Sequence, residues 1–495
     1  MKNQAQLIAY VDRLPGGTFR DLRQLLNGPL REVFGGVHVL PFFHPIDGAD
    51  AGFDPIDHSQ VDPRVGTWAD VAALAADVDV MADLIVNHVS RHSPRFQDYD
   101  ARGGESSYAG MFLTYERVFP HGARESDLVA LHTIRPALPF TVHDATHGAR
   151  LLLWTTFTSD QIDIDVTHPQ GRQYLTEVLN HFHEAGIAVI RLDAVGFTIK
   201  KAGTSCFMIP ETFAFIDELT AQARGMGIEV LVEVHGHPDD QLAVARHVDW
   251  VYDFALPSLV LHTLYTRNVE ALSRWLRIRP TNAVTVLDTH DGIGVTDVDR
   301  DSRHPGDEPL LPRAAIDALL ETIEERSRGE SREASGAAAS NVDASQINCT
   351  FYDAVGRRDH EYLIARAIQC FVPGIPQIYY VGLLVGTNDM ALLRRTRVGR
   401  DINRRYYTAA DVEEALARPV VRSLLALLRL RNTHPAFAGT FRMLSTTADR
   451  LALAWTDGDE MARLDVDFAA MTASITCSGT NGTAVTWHNQ LEAHA

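Results

Sequence analysis

The chain has little cysteine, no long apolar run and no excess of positive charge, and each lack argues against a class of function. Its four cysteines, Cys206, Cys349, Cys370 and Cys477, are widely spread with no CxxC pair. That pattern fits neither a disulfide frame nor a thiolate zinc site. No stretch approaches the ~20 consecutive apolar residues that a membrane helix needs. Lys and Arg number 45 against 64 Asp and Glu, a formal net charge of −19, so a nucleic-acid backbone is not the expected partner. The opening run, Met1 to Tyr10, lacks the apolar core of an export signal. A cytoplasmic protein with reduced thiols and no membrane partner is therefore expected.

What is present is a long globular chain. Its 495 residues, 45% hydrophobic and 22% charged, suffice for a large core and more than one domain. Short apolar runs alternate with helical patterns, the signature of βαβ units. Eight runs read as strands: Leu7 to Tyr10, Gly36 to Phe43, Val80 to His88, Ile187 to Asp193, Ile228 to His235, Val248 to Ala255, Ala283 to Asp291 and Ile375 to Val381. Helix-length segments such as 70–77, 172–185, 210–226 and 239–247 lie between them. Eight such strands predict a closed (β/α)₈ barrel, of the TIM type.

Two gaps are far longer than one βα connection. They predict inserted subdomains at 87–166 and 292–355, the second including the small-residue stretch Gly329 to Ser340. The barrel would then comprise 1–86, 167–291 and 356–435. From 436 the pattern changes to short strands, Leu451 to Trp455 and Ala484 to Trp487, separated by polar turns. Residues 436–495 thus predict an all-β C-terminal domain.

Three of the strand ends carry acids: Asp193, Glu233 and Asp291. In such barrels the catalytic groups sit at the C-terminal strand ends. Paired carboxylates suit glycosidic-bond chemistry, one attacking the anomeric carbon and one protonating the leaving oxygen. A third can stabilise positive charge on the ring. His88 and His290 flank these ends and could donate to sugar hydroxyls; each could also be a satisfied core residue. Arg191, two before Asp193, reads either as a substrate contact or as a structural partner of that acid.

The runs Asp83-Leu-Ile-Val-Asn-His88, Ile190-Arg-Leu-Asp-Ala194, Leu231-Val-Glu-Val234 and Thr289-His-Asp291 resemble the four sequence regions of the α-amylase clan. Further runs resemble sucrose phosphorylases across nearly the whole chain: Asp50 to Asp57, Ala202 to Phe207, Val251 to Pro257, Val286 to Gly294 and Gly399 to Arg404. The resemblance implies a retaining glycoside phosphorylase with inorganic phosphate as co-substrate, no cofactor, and a sugar or sugar phosphate as partner. It implies Asp193 as nucleophile, Glu233 as general acid/base and Asp291 as transition-state stabiliser. Asp50, His88, Arg191, His290 and Arg400 would hold the glucosyl unit, with Phe53 and Phe157 as aromatic platform and Gln161 beside it. Asn87 matches a calcium ligand of many amylases, but the phosphorylase branch does without calcium and the sequence has no EF-hand, so no metal is expected. Arg135, in Ile134-Arg-Pro-Ala-Leu-Pro-Phe140, matches the phosphate-side arginine.

The acceptor loops depart from the family. His132-Thr-Ile134 stands where the family usually has Tyr-Arg-Pro; Ala344 and Ser345 replace two large side chains in the segment Asp343, Ala344, Ser345, Gln346; Phe197 replaces a tyrosine; and Lys200 is joined by Lys201. More room and more positive charge suit a phosphorylated acceptor, so sucrose 6′-phosphate, with fructose 6-phosphate as leaving group, is the expected substrate. Lys200 and Lys201 could instead simply solvate a loop, and His235 and His237 are weaker candidate contacts. Alternatives are sucrose itself, glucosylglycerol or glucosylglycerate; in another class, a hydrolase or transglucosidase; and a catalytically silent sugar-binding protein. A monomer or homodimer is expected.

Overall fold

The computed structural model describes residues 1–48, 50–135, 137–299, 308–336, 346–444, 446–479 and 482–491. Eight parallel strands close into a barrel: β1 (Gln6–Ala9), β2 (Gly36–Val39), β3 (Asp79–Ile85), β4 (Val189–Asp193), β5 (Glu229–Val232), β6 (Trp250–Asp253), β7 (Ala283–Thr285) and β8 (Ile375–Tyr379). Each strand pairs with its sequence neighbours, and β8 returns to β1. All eight fall on the expected strands; β1 keeps the expected four residues, shifted by one, and the other seven are shorter than their apolar runs.

Helices cover the outside, and their starts follow from the sequence. Thr67 and Asp70 form a reciprocal capping box on helix Trp68–Ala75, satisfying amides that would otherwise be orphaned. Pro169, Pro210 and Pro238 each open a helix, where a missing N–H costs nothing. His237 caps the last of these, its Nδ1 accepting from the Asp239 amide.

Register places the chemistry. In a strand, residues two apart share a face, so Arg191 and Asp193 both point into the barrel while Ile190 and Leu192 face the helices. Arg191 lies opposite Asp83 on β3 and Leu231 on β5. Directly after Asp193, Ala194 is left-handed at φ 55°, ψ 22°, a region a residue with a side chain adopts at some cost. It turns the chain sharply into the short helix Val195–Phe197.

The segment after β3 is tied down at both ends by one antiparallel pair, His88–Ser90 with Gln161–Asp163, in which His88 faces Asp163. A hairpin, Phe140–Asp144 with Arg150–Trp154, lies within it. After β7, Ile293–Gly294 pairs with Gln346–Ile347, closing the second long segment. The C-terminal domain is a five-stranded antiparallel sheet, β9 (Thr440–Met443), β10 (Arg450–Asp457), β11 (Glu460–Asp467), β12 (Thr472–Gly479) and β13 (Gly482–His488), in sequential order. It is pinned to the barrel helices by Trp455 Nε1 donating to Phe371 O at 2.6 Å and Trp487 Nε1 to Ser423 O at 3.1 Å. Among the described residues no helix is long and apolar enough to cross a membrane.

Candidate active site

Arg191 is the hub of the barrel mouth. Its side chain is 2% exposed, yet it touches three carboxylates. Nη1 lies 2.5 Å from Asp83 Oδ1 and 3.0 Å from Asp193 Oδ1, and Nη2 lies 2.5 Å from Glu233 Oε1. A buried guanidinium is tolerated only when its planar fork is matched by acceptors. Beneath it, His38 Nε2 is 2.9 Å from Asp83 Oδ2, which anchors Asp83.

Asp291 forms the opposite wall. Arg400 Nη1 is 2.8 Å from Asp291 Oδ1 and 3.8 Å from Asp50 Oδ1. Arg404 approaches the same two oxygens at 3.9 and 3.8 Å, and its Nε donates to His290 O at 2.9 Å. Arg404 was not among the expected contacts, although it ends the same Gly399–Arg404 run; its 1% exposure is what distinguishes it, and exposure is invisible in sequence. Phe53 stacks on His290 at 4.8 Å and 7°, with the Arg191 guanidinium 5.6 Å from the Phe53 ring centre. His88 Nε2 donates to Phe53 O at 2.9 Å and lies 3.1 Å from Gln161 Nε2. Phe157 meets the His88 ring at 5.2 Å. The structure thus gathers Asp193, Glu233, Asp291, Asp50, Phe53, His88, Phe157, Gln161, Arg191, His290 and Arg400 around one mouth.

The charges are uneven. Burial, with the fields of Glu233, Asp83 and Asp291, pushes Asp193 well above the usual carboxylate range despite Arg191. Burial pulls Glu233 upward too, but Arg191 and His235 outweigh it and hold Glu233 at about 2. Two like charges on one guanidinium titrate as a unit; attack by Asp193 needs the form in which Asp193 is ionised and the proton lies on the Glu233 side. For Asp291, Arg400 and Arg404 overcome burial and keep it well below the usual range. Burial takes His290 down to about 3 and also lowers His88, so both are neutral hydrogen-bonding groups. His235 is raised well above an ordinary imidazole, Asp297 and Glu233 overcoming its burial.

Glu233, His235 and Asp291 bring ligand atoms within 4.8 Å of one another. Guanidiniums from Arg191 and Arg400 already neutralise the two acids, which makes the trio a poor cation site. At the amylase-like Asn87, a protein cation fills the place. Lys200 Nζ lies 2.8 Å from Asp163 Oδ2 and 3.1 Å from Asn87 Oδ1, and it donates to Phe197 O. Its side chain is 1% exposed, so Lys200 is an internal strut between the inserted segment and β4, not a loop charge.

The acceptor side is looser. Arg135 Nη2 donates to Thr155 O at 2.6 Å, its Nε is buried without a partner, and among the described residues it makes no ion pair. Burial lowers it from the ordinary arginine value. His132 stacks on Phe207 at 4.3 Å. Lys201 is 57% exposed and paired with Glu211. Gln346 Oε1 accepts from Arg400 Nη2 at 3.1 Å and from the Gly292 amide at 3.3 Å. Asp343, Ala344 and Ser345 lie outside the described residues.

Comparison with known proteins fits this geometry. Residues 33–291 match the α-amylase catalytic domain. A sucrose phosphorylase of Agrobacterium vitis is 57% identical over 97% of this chain and 98% of its own length, and one of Bifidobacterium adolescentis is 50% identical over 94% and 92%. The crystal structure of a sucrose 6F-phosphate phosphorylase from Thermoanaerobacter thermosaccharolyticum superposes with a TM-score of 0.89, at 38% identity, covering 98% of this chain and 99% of that one. The chain belongs to the sucrose phosphorylase family of the α-amylase clan, and is a glycoside phosphorylase.

Proposed function

We propose that the chain catalyses the reversible phosphorolysis of sucrose to α-D-glucose 1-phosphate and fructose, with retention. The observation that carries this reading is the pair Asp193 and Glu233 on one guanidinium, facing Asp291. Two carboxyls bridged so closely suit a double displacement rather than a water held between them. Asp193 attacks the anomeric carbon, Glu233 gives its proton to the glycosidic oxygen, and fructose leaves. Asp291, kept ionised by Arg400 and Arg404, offsets the charge that builds on the ring. Phosphate then attacks the glucosyl–Asp193 ester, with its proton returning to Glu233. Arg135 serves as the cation for the phosphate: among the described residues it has no acid partner, which leaves fork donors to offer.

Fructose, not fructose 6-phosphate, is the acceptor we favour. The two lysines that suggested a phosphorylated acceptor are engaged elsewhere, Lys200 with Asp163 and Lys201 with Glu211. The relatives at 57% and 50% identity are sucrose phosphorylases. Sucrose 6′-phosphate is the second reading, favoured by the close likeness to the structure of an enzyme named for it. Incubation with sucrose and with sucrose 6′-phosphate, each with and without phosphate, separates them. The proposal expects phosphate-dependent release of glucose 1-phosphate from sucrose. Preference for the phosphorylated sugar would reverse the acceptor assignment, and glucose release indifferent to phosphate would make the chain a hydrolase. Glycerol and glycerate, offered with glucose 1-phosphate in the reverse direction, test the glucosylglycerol and glucosylglycerate alternatives.

A further inference from the structure

Behind Glu233 lies a second acid that the reaction as written does not use. Asp297 is fully buried in the turn after Ile293–Gly294. Its carboxylate accepts from the Gly236 amide at 3.2 Å and lies 3.5 Å from His235 Nδ1. The site is built closely around it: a Cβ on Gly294 would stand 2.3 Å from Asp297 Oδ2. His235 is clamped against Phe254, rings 4.0 Å apart at 17°. Its other nitrogen, Nε2, faces Glu233 Oε1 and Gln346 Nε2, each at 3.5 Å. One neighbour accepts and the other donates, so Nε2 is served with or without a proton.

We propose that Asp297 is a positioning residue: it fixes His235 with Nδ1–H toward itself, so that Nε2 and Glu233 share the proton delivered to the leaving sugar. Before cleavage the pair is Glu233 carboxylate with His235 imidazolium. The proton passes from Nε2 to Glu233 and then to the glycosidic oxygen, leaving both groups without it. Attack by hydrogen phosphate returns a proton by the same route. The charged groups facing His235 are Glu233, Asp297 and Asp291, with Arg191 and Arg400 beyond them. Asp297 is the acid at the end remote from substrate, so its charge stabilises the shared proton and keeps the pair loaded to higher pH. This inference rests on Glu233 being the general acid.

The test is the pH profile of kcat/KM for sucrose, compared with α-glucosyl fluoride, whose leaving group needs no proton. Asp297→Asn removes a negative neighbour, so the alkaline limb with sucrose should move down by about one pH unit or more while the fluoride profile stays in place. His235→Gln should move the same limb the same way, and serves if Asp297→Asn folds poorly. An alkaline limb unmoved in both variants, or an equal loss with both donors at every pH, overturns the proposal. Glu233→Gln is the control: it should spare the fluoride and lose sucrose. Loss of both donors there would refute the acid/base reading itself, independently of Asp297.

Discussion

The two sides of the mouth are built differently. On the glucose side, the acids stand on or just beyond the ends of β4, β5 and β7, and guanidiniums lock them: Arg191 to Asp193 and Glu233, Arg400 to Asp291. On the acceptor side, Arg135 and His132 come from a loop of the inserted segment; Arg135 donates to Thr155, and His132 donates its amide to Ser205 O and stacks on Phe207. Rigid elements fix reacting groups to within a fraction of an ångström, whereas loops can adapt to what leaves and what enters. The difference teaches that bond cleavage and acceptor choice are separable, and substitutions can test whether they are.

The largest effect should come from the rigid side. Asp193→Ala is expected to lower phosphorolysis and synthesis alike by roughly 10⁴-fold or more, measured as glucose 1-phosphate formed and consumed; residual turnover near wild type would remove it as nucleophile. Next is the strut between the two sides. Lys200→Met leaves Asp163 buried and unpaired, which costs about 3–5 kcal/mol of stability, to be read from denaturant unfolding. If stability holds but acceptor preference changes, Lys200 belongs to the acceptor side after all. Arg135→Gln should weaken phosphate use by about 10–100-fold, the worth of one or two charged hydrogen bonds, while hydrolysis of the glucosyl–enzyme persists; equal loss of hydrolysis would merge the two sides. The smallest effect is expected from Lys201→Ala. An exposed ion pair contributes little, so use of fructose and of fructose 6-phosphate should each stay within about twofold, and a selective loss with the phosphorylated sugar would restore Lys201 to the acceptor site.

Much of this was legible in the chain. The largely β-branched run before Arg191 and Asp193 reads as a buried parallel strand, and acids at three strand ends point to one mouth. Lys200 shows the limit. Read along the chain, Lys200 and Lys201 are adjacent ammonium groups on a loop; folded, one is 1% and the other 57% exposed. The next residue along points elsewhere, and only the arrival of Asp163 from the far end of the inserted segment makes Lys200 internal. Arg404 is inconspicuous beside Arg400 for the same reason, and Asp297 carries no local signal at all: its meaning comes from His235, 62 residues away.

The sequence by itself determined the eight strands, the β-rich C-terminal domain, and the residue types available at the mouth, because periodicity and strand length are local properties of the chain. Only the tertiary structure decided which charges neutralise which. Asp83, Asp193 and Glu233 meet on Arg191 because barrel closure sets the register of three neighbouring strands. Whether a lysine faces substrate or seals the core, and which cation each acid meets, depends on burial and on distances of a few ångströms between residues far apart in sequence.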